Sequence, residues 1–143
     1  MKYLFLIVFF NSCYPVQDNW RNTRVQKEQQ SKIKEIECRI TYYHPYQDKW
    51  GSQVACPKTK RAQKGVTVAA HPDFKFGQKI FIPRLKDVVG DGFFIVQGRG
   101  GAVTKKTASS GDAYVFDVFV NNQKELSTYS RKLPQYMKVF VKQ

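Results

Sequence analysis

The sequence is poor in acidic residues and in the residues that ligate transition metals. It has 11 Asp and Glu against 24 Lys and Arg, only three Cys, and only two His. No Cys-x-x-Cys or His-x-x-x-His pair occurs, so the combination of Cys38, His44, Cys56 and His71 lacks the ligand spacing typical of zinc sites. We therefore predict no metal and no cofactor, with zinc as the weaker alternative.

Apolar runs long enough to span a bilayer are also missing. The run at residues 4–10 follows Lys2 and is too short to cross a membrane, which is typical of a secretory leader. We assign residues 1–17 to that leader; a buried N-terminal strand is the alternative. Cys13 follows Phe10-Asn11-Ser12 and is a candidate for lipid attachment, against simple secretion. The expected location is the periplasm or cell envelope, with or without a lipid anchor at Cys13.

The formal charge of +13 predicts attraction to polyanions. Nucleic acid, anionic lipid and an anionic wall polymer all fit such a surface, but export argues against nucleic acid. A nucleic-acid-binding protein of the cytoplasm would require that residues 1–17 are not a leader. A solvated basic surface without a partner is the ordinary alternative.

Two cysteines remain once Cys13 is assigned to the leader. In an oxidising compartment, Cys38 and Cys56 are expected to form a disulfide, which would stabilise a small domain by about 3 kcal/mol. Cys56 as a nucleophile is the weaker hypothesis, because the sequence offers no identifiable base partner.

The remaining chain divides into a polar stretch and one β-rich domain. Residues 18–37 are predicted to form a polar linker or short helix, and residues 38–143 a single domain. Within the domain, short apolar runs of strand length alternate with Gly, Pro, Asn and Asp. They predict an all-β barrel or sandwich with six strands, at residues 39–43, 65–70, 79–83, 92–97, 113–120 and 136–141. Residues 83–86 and 125–132 are expected to add short helical turns.

Several segments together resemble one known family. Residues 65–82 hold a strand ending at His71-Pro72 and a Gly before the next strand, and Thr41-Tyr42-Tyr43 precedes them. Residues 98–103 read Gly-Arg-Gly-Gly-Ala-Val, and residues 116–119 read Phe-Asp-Val-Phe. This order resembles the 3D domain, which is related to membrane-bound lytic transglycosylase A and rare lipoprotein A. The resemblance implies a six-stranded double-psi β-barrel that binds peptidoglycan or another anionic wall glycan in a groove.

The resemblance also assigns candidate residues, with two departures from the family pattern. The family is named for three aspartates; His71 stands at the first position and Gly98 at the second. The third is Asp117, which matches the acid/base residue of lytic transglycosylase A. Asp117 is therefore the predicted catalytic residue. One carboxyl suffices for lytic cleavage, because it first protonates the glycosidic oxygen and then serves as the base for intramolecular attack.

Asp117 is also unusual on physical grounds. It interrupts a run of strand formers at residues 114–120 and shares a face with Val115 and Phe119. That face either borders a groove or desolvates the carboxyl, which would raise its pKa. An edge-strand Asp that faces water is the alternative.

The other candidate residues concern glycan binding. Arg99 is predicted to bind substrate carboxylates, against a plain surface charge, and His71 to donate to a glycan oxygen, against a turn residue. Aromatic rings are candidates for sugar stacking or for the core: Tyr42, Tyr43, Tyr46 and Trp50. The resemblance thus implies a peptidoglycan-active protein, either a lytic transglycosylase or a non-catalytic glycan-binding barrel. It does not predict an oligomeric state.

Overall fold

The computed structural model describes residues 33–143, so the predicted leader and Cys13 lie outside the described residues. Within residues 33–143 there are six strands, and each of the six predicted strands is confirmed. They are β1 (Ile33–Tyr43), β2 (Thr67–Ala69), β3 (Lys79–Phe81), β4 (Phe93–Gly98), β5 (Val115–Phe119) and β6 (Tyr136–Lys142). The domain is therefore all-β, as the alternation of short apolar runs and turn residues predicts.

Helical structure is confined to short segments between the strands. Helix α1 (Gly101–Thr104) follows β4, and helix α2 (Gln123–Lys132) joins β5 to β6. Two 3₁₀ turns lie at Pro83–Leu85 and Thr107–Ser109. In the described part of the chain, no helix is long and apolar enough to cross a membrane.

The six strands pair in the order β1-β5-β2-β4-β3-β6, and the sheet closes because β6 also pairs with β1. Two pairs are parallel, β1 with β5 and β2 with β4, and the others are antiparallel. If β1 is exchanged with β4, β2 with β5 and β3 with β6, every strand keeps the same neighbouring strands, and every pair keeps its parallel or antiparallel direction. The topology is therefore symmetric about a twofold exchange of its halves.

Alternating residues of the strands fill the interior of the closed sheet. On β5, Phe116 and Val118 point inward, while Val115 and Asp117 lie on the outer face. The largest fully buried side chains of the interior are Phe94, Phe116, Ile80, Ile82 and Leu85. Helix α2 covers one part of this core with Leu126 and Tyr129, and the Asn122 side chain caps its first turn.

Strand β1 begins at Ile33, five residues before the predicted domain boundary. Residues 33–37 pair with β6 in antiparallel register, so the assignment of this segment to a linker is wrong. The Lys138 ammonium donates to Glu35 at 2.7 Å across the two strands. The prediction missed the strand because its outward positions carry charges, and only Ile36 packs against the core.

The predicted disulfide is absent, because Cys38 and Cys56 are both free thiols and both buried. Cys38 lies on β1, whereas the backbone N–H of Cys56 donates to Gln97 on β4. Strand β4 is three steps from β1 in either direction around the closed sheet. A disulfide needs Cα atoms within about 7 Å, which opposite walls of the sheet do not provide. Burial, reinforced by the nearby Glu37 carboxylate, raises the pKa of Cys38 to about 12.

Candidate functional site

Four residues in register form a row across the outer face of four neighbouring strands. Thr41 on β1 is opposite Asp117 on β5, Asp117 is opposite Ala69 on β2, and Ala69 is opposite Gly98 on β4. The register shifts between Val68 and Ala69, and this β-bulge brings Gly98 into the row. Asp117 therefore lies between a hydroxyl on one side and two very small residues on the other.

The Asp117 carboxyl is largely buried and has one hydrogen-bonding side chain among residues 33–143. The Thr41 hydroxyl donates to Asp117 Oδ1 at 2.8 Å. Burial raises the pKa of Asp117 to about 6, and the Thr41 hydrogen bond opposes part of that rise. The second carboxyl oxygen has no protein donor within the described residues, so it is available to a ligand.

A small apolar cluster on the outer face explains the burial of Asp117. Val115 precedes it on the same face and packs with Ala69 and with Val103 of helix α1, while Tyr43 covers the cluster. The Tyr43 ring contacts Phe119 edge to face at 5.2 Å between centroids. Asp117 thus lies at the border of a second, smaller core on the outside of the sheet.

Asp117 opens onto a cleft of about 630 Å³, called here the Asp117 cleft. Its floor contains Ala69 and Gly98, and the residues that follow β4 form one side. The other side is formed by the loop after β1, with Gln47, Asp48, Trp50, Gly51, Gln53, Val54 and Ala55. This cleft is large enough for one or two sugar rings, and a titratable carboxyl lies at its floor.

The aromatic candidates separate into core and cleft. Tyr42 points into the core and packs against Tyr129, whereas Tyr46 is exposed outside the cleft. Tyr43 and Trp50 both line the cleft. Burial, followed by the Asp117 and Asp48 carboxylates, raises the pKa of Tyr43, so its hydroxyl stays protonated. Trp50 is 60% exposed, and the Lys49 ammonium lies over its ring at 5.1 Å from the centroid.

Arg99 lines the cleft, but its guanidinium makes three hydrogen bonds to the protein. It donates to the carbonyl oxygens of Ala70 at 3.1 Å, Gly98 at 3.0 Å and Phe74. It also lies over the Phe76 ring at 4.1 Å. These contacts hold the turn after β2 against the end of β4. In this geometry Arg99 supports the wall of the cleft with three of its five N–H donors, and its role in binding a substrate carboxylate stays a prediction.

His71 is part of a turn and does not line the Asp117 cleft. Its Nδ1 accepts the backbone N–H of Asp73 at 3.2 Å, and its ring lies 5.4 Å from that of Tyr114. The Tyr114 hydroxyl donates to the Asp73 carboxylate, which lowers the pKa of Asp73. The structure therefore places His71 and Asp73 together, away from Asp117.

Gly98 is fixed by close packing. A Cβ atom at this position would lie 2.7 Å from the Ala69 Cβ, well inside van der Waals contact. An aspartate, which the family pattern has here, does not fit unless Ala69 or the bulge moves. Gly98 therefore contributes no side chain to the floor of the cleft, where the family pattern has an aspartate.

Asp48 is a second carboxylate of the cleft, and the sequence prediction missed it. It is exposed, and its Oδ1 accepts the backbone N–H of Trp50 at 2.9 Å. Nothing in the local pattern marks it, because Asp48 lies in a polar loop where an acidic residue is ordinary. Only the folding of this loop over the sheet brings Asp48 and Asp117 to one cleft.

The loop at residues 52–62 is held by a buried polar network on β2 and β4. The Thr67 hydroxyl donates to Gln97 Oε1 at 2.6 Å, and Gln97 Nε2 donates to the Thr59 hydroxyl at 3.1 Å. Thr67 and Gln97 are both buried. We call Thr59, Thr67 and Gln97 the Gln97 network. It holds this loop at Thr59, and residues 53–55 of the same loop line the cleft.

Comparison with known proteins gives no family for this chain. No family model matches the sequence, and no curated protein matches it. The resemblance to the 3D domain therefore stays a prediction that depends on the quoted motifs.

Proposed function

We propose that the Asp117 cleft cleaves the glycan strand of peptidoglycan, with Asp117 as general acid and then general base. The observation that carries this proposal is a largely buried carboxyl with a pKa of about 6 at the floor of an open cleft. A pKa near the working pH lets one carboxyl group donate a proton in the first step and accept one in the second.

The chemistry follows from one carboxyl. Protonated Asp117 donates its proton to the glycosidic oxygen, the bond between that oxygen and the anomeric carbon breaks, and the sugar gains oxocarbenium character. The resulting carboxylate then accepts the proton of the same sugar's 6-hydroxyl, whose oxygen attacks the anomeric carbon. The product is a 1,6-anhydro sugar, and Asp117 is protonated again. The Tyr43 and Trp50 rings would stack on the neighbouring sugars.

The twofold topology supports the finer proposal that the closed sheet is a double-psi barrel. Such a barrel contains two interlocked halves with parallel strand pairs, and the exchange of β1–β3 with β4–β6 preserves every strand pairing. The proposed location is the cell envelope, which depends on the leader predicted at residues 1–17.

Asp48 favours a second candidate reaction, which is hydrolysis. Ordinary glycosidases use two carboxyl groups, one as acid and one as base or nucleophile. With Asp117 as the acid, the Asp48 carboxylate would remove a proton from the attacking water. The products differ in mass by one water molecule, so they distinguish the two reactions.

The test is to incubate the purified protein with peptidoglycan and to determine the released fragments by mass spectrometry. We expect 1,6-anhydro products from the wild type and none from Asp117→Asn, prepared identically as the matched control. Water-adduct products lost in both Asp117→Asn and Asp48→Asn would establish hydrolysis instead. Binding without any released fragment would contradict cleavage and leave a glycan-binding barrel.

A further inference from the structure

A second cavity adjoins the Asp117 cleft at Trp50. This cavity has a volume of about 590 Å³ and shares Trp50, Gln53, Val54 and Ala55 with the cleft. Its far side is formed by Cys56, Pro57, Thr59, Lys60 and Arg61. We call this cavity the basic pocket. The two cavities therefore lie side by side, with Trp50 at their shared border.

The two cavities differ in charge. The Asp117 cleft contains two carboxyl groups, Asp48 and Asp117, beside Arg99, whereas the lining of the basic pocket has two cations and no acidic residue. Lys60 and Arg61 are exposed, and within residues 33–143 no carboxylate lies within 4 Å of either side chain. Two unpaired cations in one concavity attract an anionic group.

The backbone of the basic pocket is fixed by hydrogen bonds. Residues Gln53 and Arg61 form an antiparallel bridge, and the Ala62 N–H donates to the Ser52 carbonyl at 2.7 Å. The Cys56 N–H donates to the Gln97 carbonyl at 2.9 Å, next to the Gln97 network. Lys60 and Arg61 are therefore held beside Trp50 by a short hairpin that is tied to β4.

We infer that the basic pocket binds carboxylate groups carried on the glycan whose sugar lies in the Asp117 cleft. The preferred substrate would then be an anionic, substituted glycan, and a neutral glycan of the same length would bind less well. The Trp50 ring would stack on the sugar between the two sites, and the Arg61 guanidinium suits a bidentate contact with a carboxylate. This inference rests on the proposed function of the cleft.

The test measures binding in the full chain, independently of cleavage. Trp20→Phe leaves Trp50 as the sole tryptophan, because the sequence contains two, and Asp117→Asn prevents turnover. Trp50 fluorescence is titrated with a soluble peptidoglycan fragment that has free peptide carboxylates, and with the same fragment after amidation of those carboxylates. A glycerol-phosphate oligomer serves as the third ligand.

Combined Lys60→Gln and Arg61→Gln substitutions should weaken binding of the carboxylated fragment about tenfold and leave the amidated fragment unchanged. The matched control is Arg84→Gln with Lys86→Gln, which removes the same charges from exposed positions outside both cavities. The control should change the affinity less than twofold. Equal melting temperatures of the two double variants establish that both are folded.

Three results would overturn the inference: equal losses in both double variants, equal wild-type affinity for the carboxylated and amidated fragments, or tighter binding of the phosphate oligomer. The outcome is independent of catalysis. A wild type that releases no fragments but shows the charge-dependent binding would contradict the proposed cleavage and support the basic pocket. Cleavage without charge-dependent binding would support the proposed cleavage and contradict the basic pocket.

Discussion

Two polar clusters lie on the outer face of the closed sheet, one on each parallel strand pair. The β1–β5 pair carries Thr41 and Asp117, and the β2–β4 pair carries Thr67 and Gln97. The Gln97 network is neutral, sealed under the loop at residues 52–62, and hydrogen-bonded at both the oxygen and the nitrogen of its amide. Asp117 is ionisable, opens onto a cleft, and has one side-chain donor among the described residues.

This difference separates a structural polar cluster from a candidate site. A buried polar group without a partner destabilises the fold, so a cluster that serves only the fold is fully hydrogen-bonded. The Gln97 network meets that condition. Among residues 33–143 the buried side-chain atoms without a partner are Arg39 Nε and Tyr42 Oη, so the second Asp117 oxygen is open to the cleft and not enclosed. Asp117 is instead distinguished by its raised pKa, which reduces stability at neutral pH, and by an oxygen that a ligand can reach.

Asp117→Asn should produce the largest effect. Cleavage should fall by a factor of about 10²–10⁴, since general acid–base catalysis contributes that much. The pKa of Asp117 in the folded protein, about 6, lies above its ordinary value of 3.8, so protonation of Asp117 stabilises the fold. This stabilisation is fully present below pH 3.8 and is lost as the pH rises through 6.

Asp117→Asn has no carboxyl group to deprotonate at position 117, so it does not lose this stability as the pH rises. At pH 7 it should therefore be more stable than wild type, by as much as about 3 kcal/mol, which corresponds to a shift of roughly two pH units. Urea unfolding of both proteins at pH 4 and pH 7 measures the difference. If Asp117→Asn loses as much stability between pH 4 and pH 7 as the wild type does, the loss does not come from Asp117 and its raised pKa is contradicted.

Gln97→Leu should act in the opposite way, by weakening the fold without changing any pH dependence. The Thr67 hydroxyl would lose its buried acceptor, which costs about 1–3 kcal/mol. The exposed Gln53→Leu is the control and should change the free energy of unfolding by less than about 0.5 kcal/mol. Equal effects of the two substitutions would mean that the Gln97 network is not structural.

Gly98→Ala tests the close contact at the floor of the Asp117 cleft. The added methyl would lie 2.7 Å from the Ala69 Cβ, so we expect a loss of about 1–3 kcal/mol in unfolding free energy. Gly100→Ala is the matched control, since no atom lies within 4 Å of a Cβ there and its φ is −129°. Adding Ala69→Gly to Gly98→Ala should restore much of the loss. Identical melting temperatures for the two single variants would refute this packing.

Thr41→Val should have the smallest effect. It removes the hydrogen bond that lowers the pKa of Asp117, so that pKa should rise further above 6. The cleavage–pH profile should shift to higher pH, and Thr41→Ser, which keeps the hydroxyl, should leave the profile in place. A shift in the opposite direction would mean that the hydrogen bond does not favour the carboxylate.

The strands were predictable from sequence because the signal is local. Alternating apolar residues between Gly, Pro and Asn turns identify β2 to β6, and Asp117 stands out as one charge within such a run. The first residues of β1 were missed because Glu35 and Glu37 occupy outward positions that pair across to β6. Local periodicity contains no information about that partner strand.

The site could be predicted only in part, because it depends on contacts between distant segments. Asp48 joins Asp117 through the fold of a loop, and Gly98 meets Ala69 through a bulge. Arg99 has the chemistry of a substrate ligand, yet three of its N–H donors are used by nearby carbonyl oxygens. Residue type therefore identified the catalytic candidate, whereas the tertiary contacts determine which neighbours are available to a ligand.

The most direct test is the titration of the Asp117 carboxyl by carbon-13 NMR, with Asp117→Asn identifying its signal. The structure predicts a titration midpoint near pH 6, because burial outweighs the Thr41 hydrogen bond. A midpoint near the ordinary value of 3.8 would show a well-solvated carboxylate and would contradict Asp117 as the acid of the cleft.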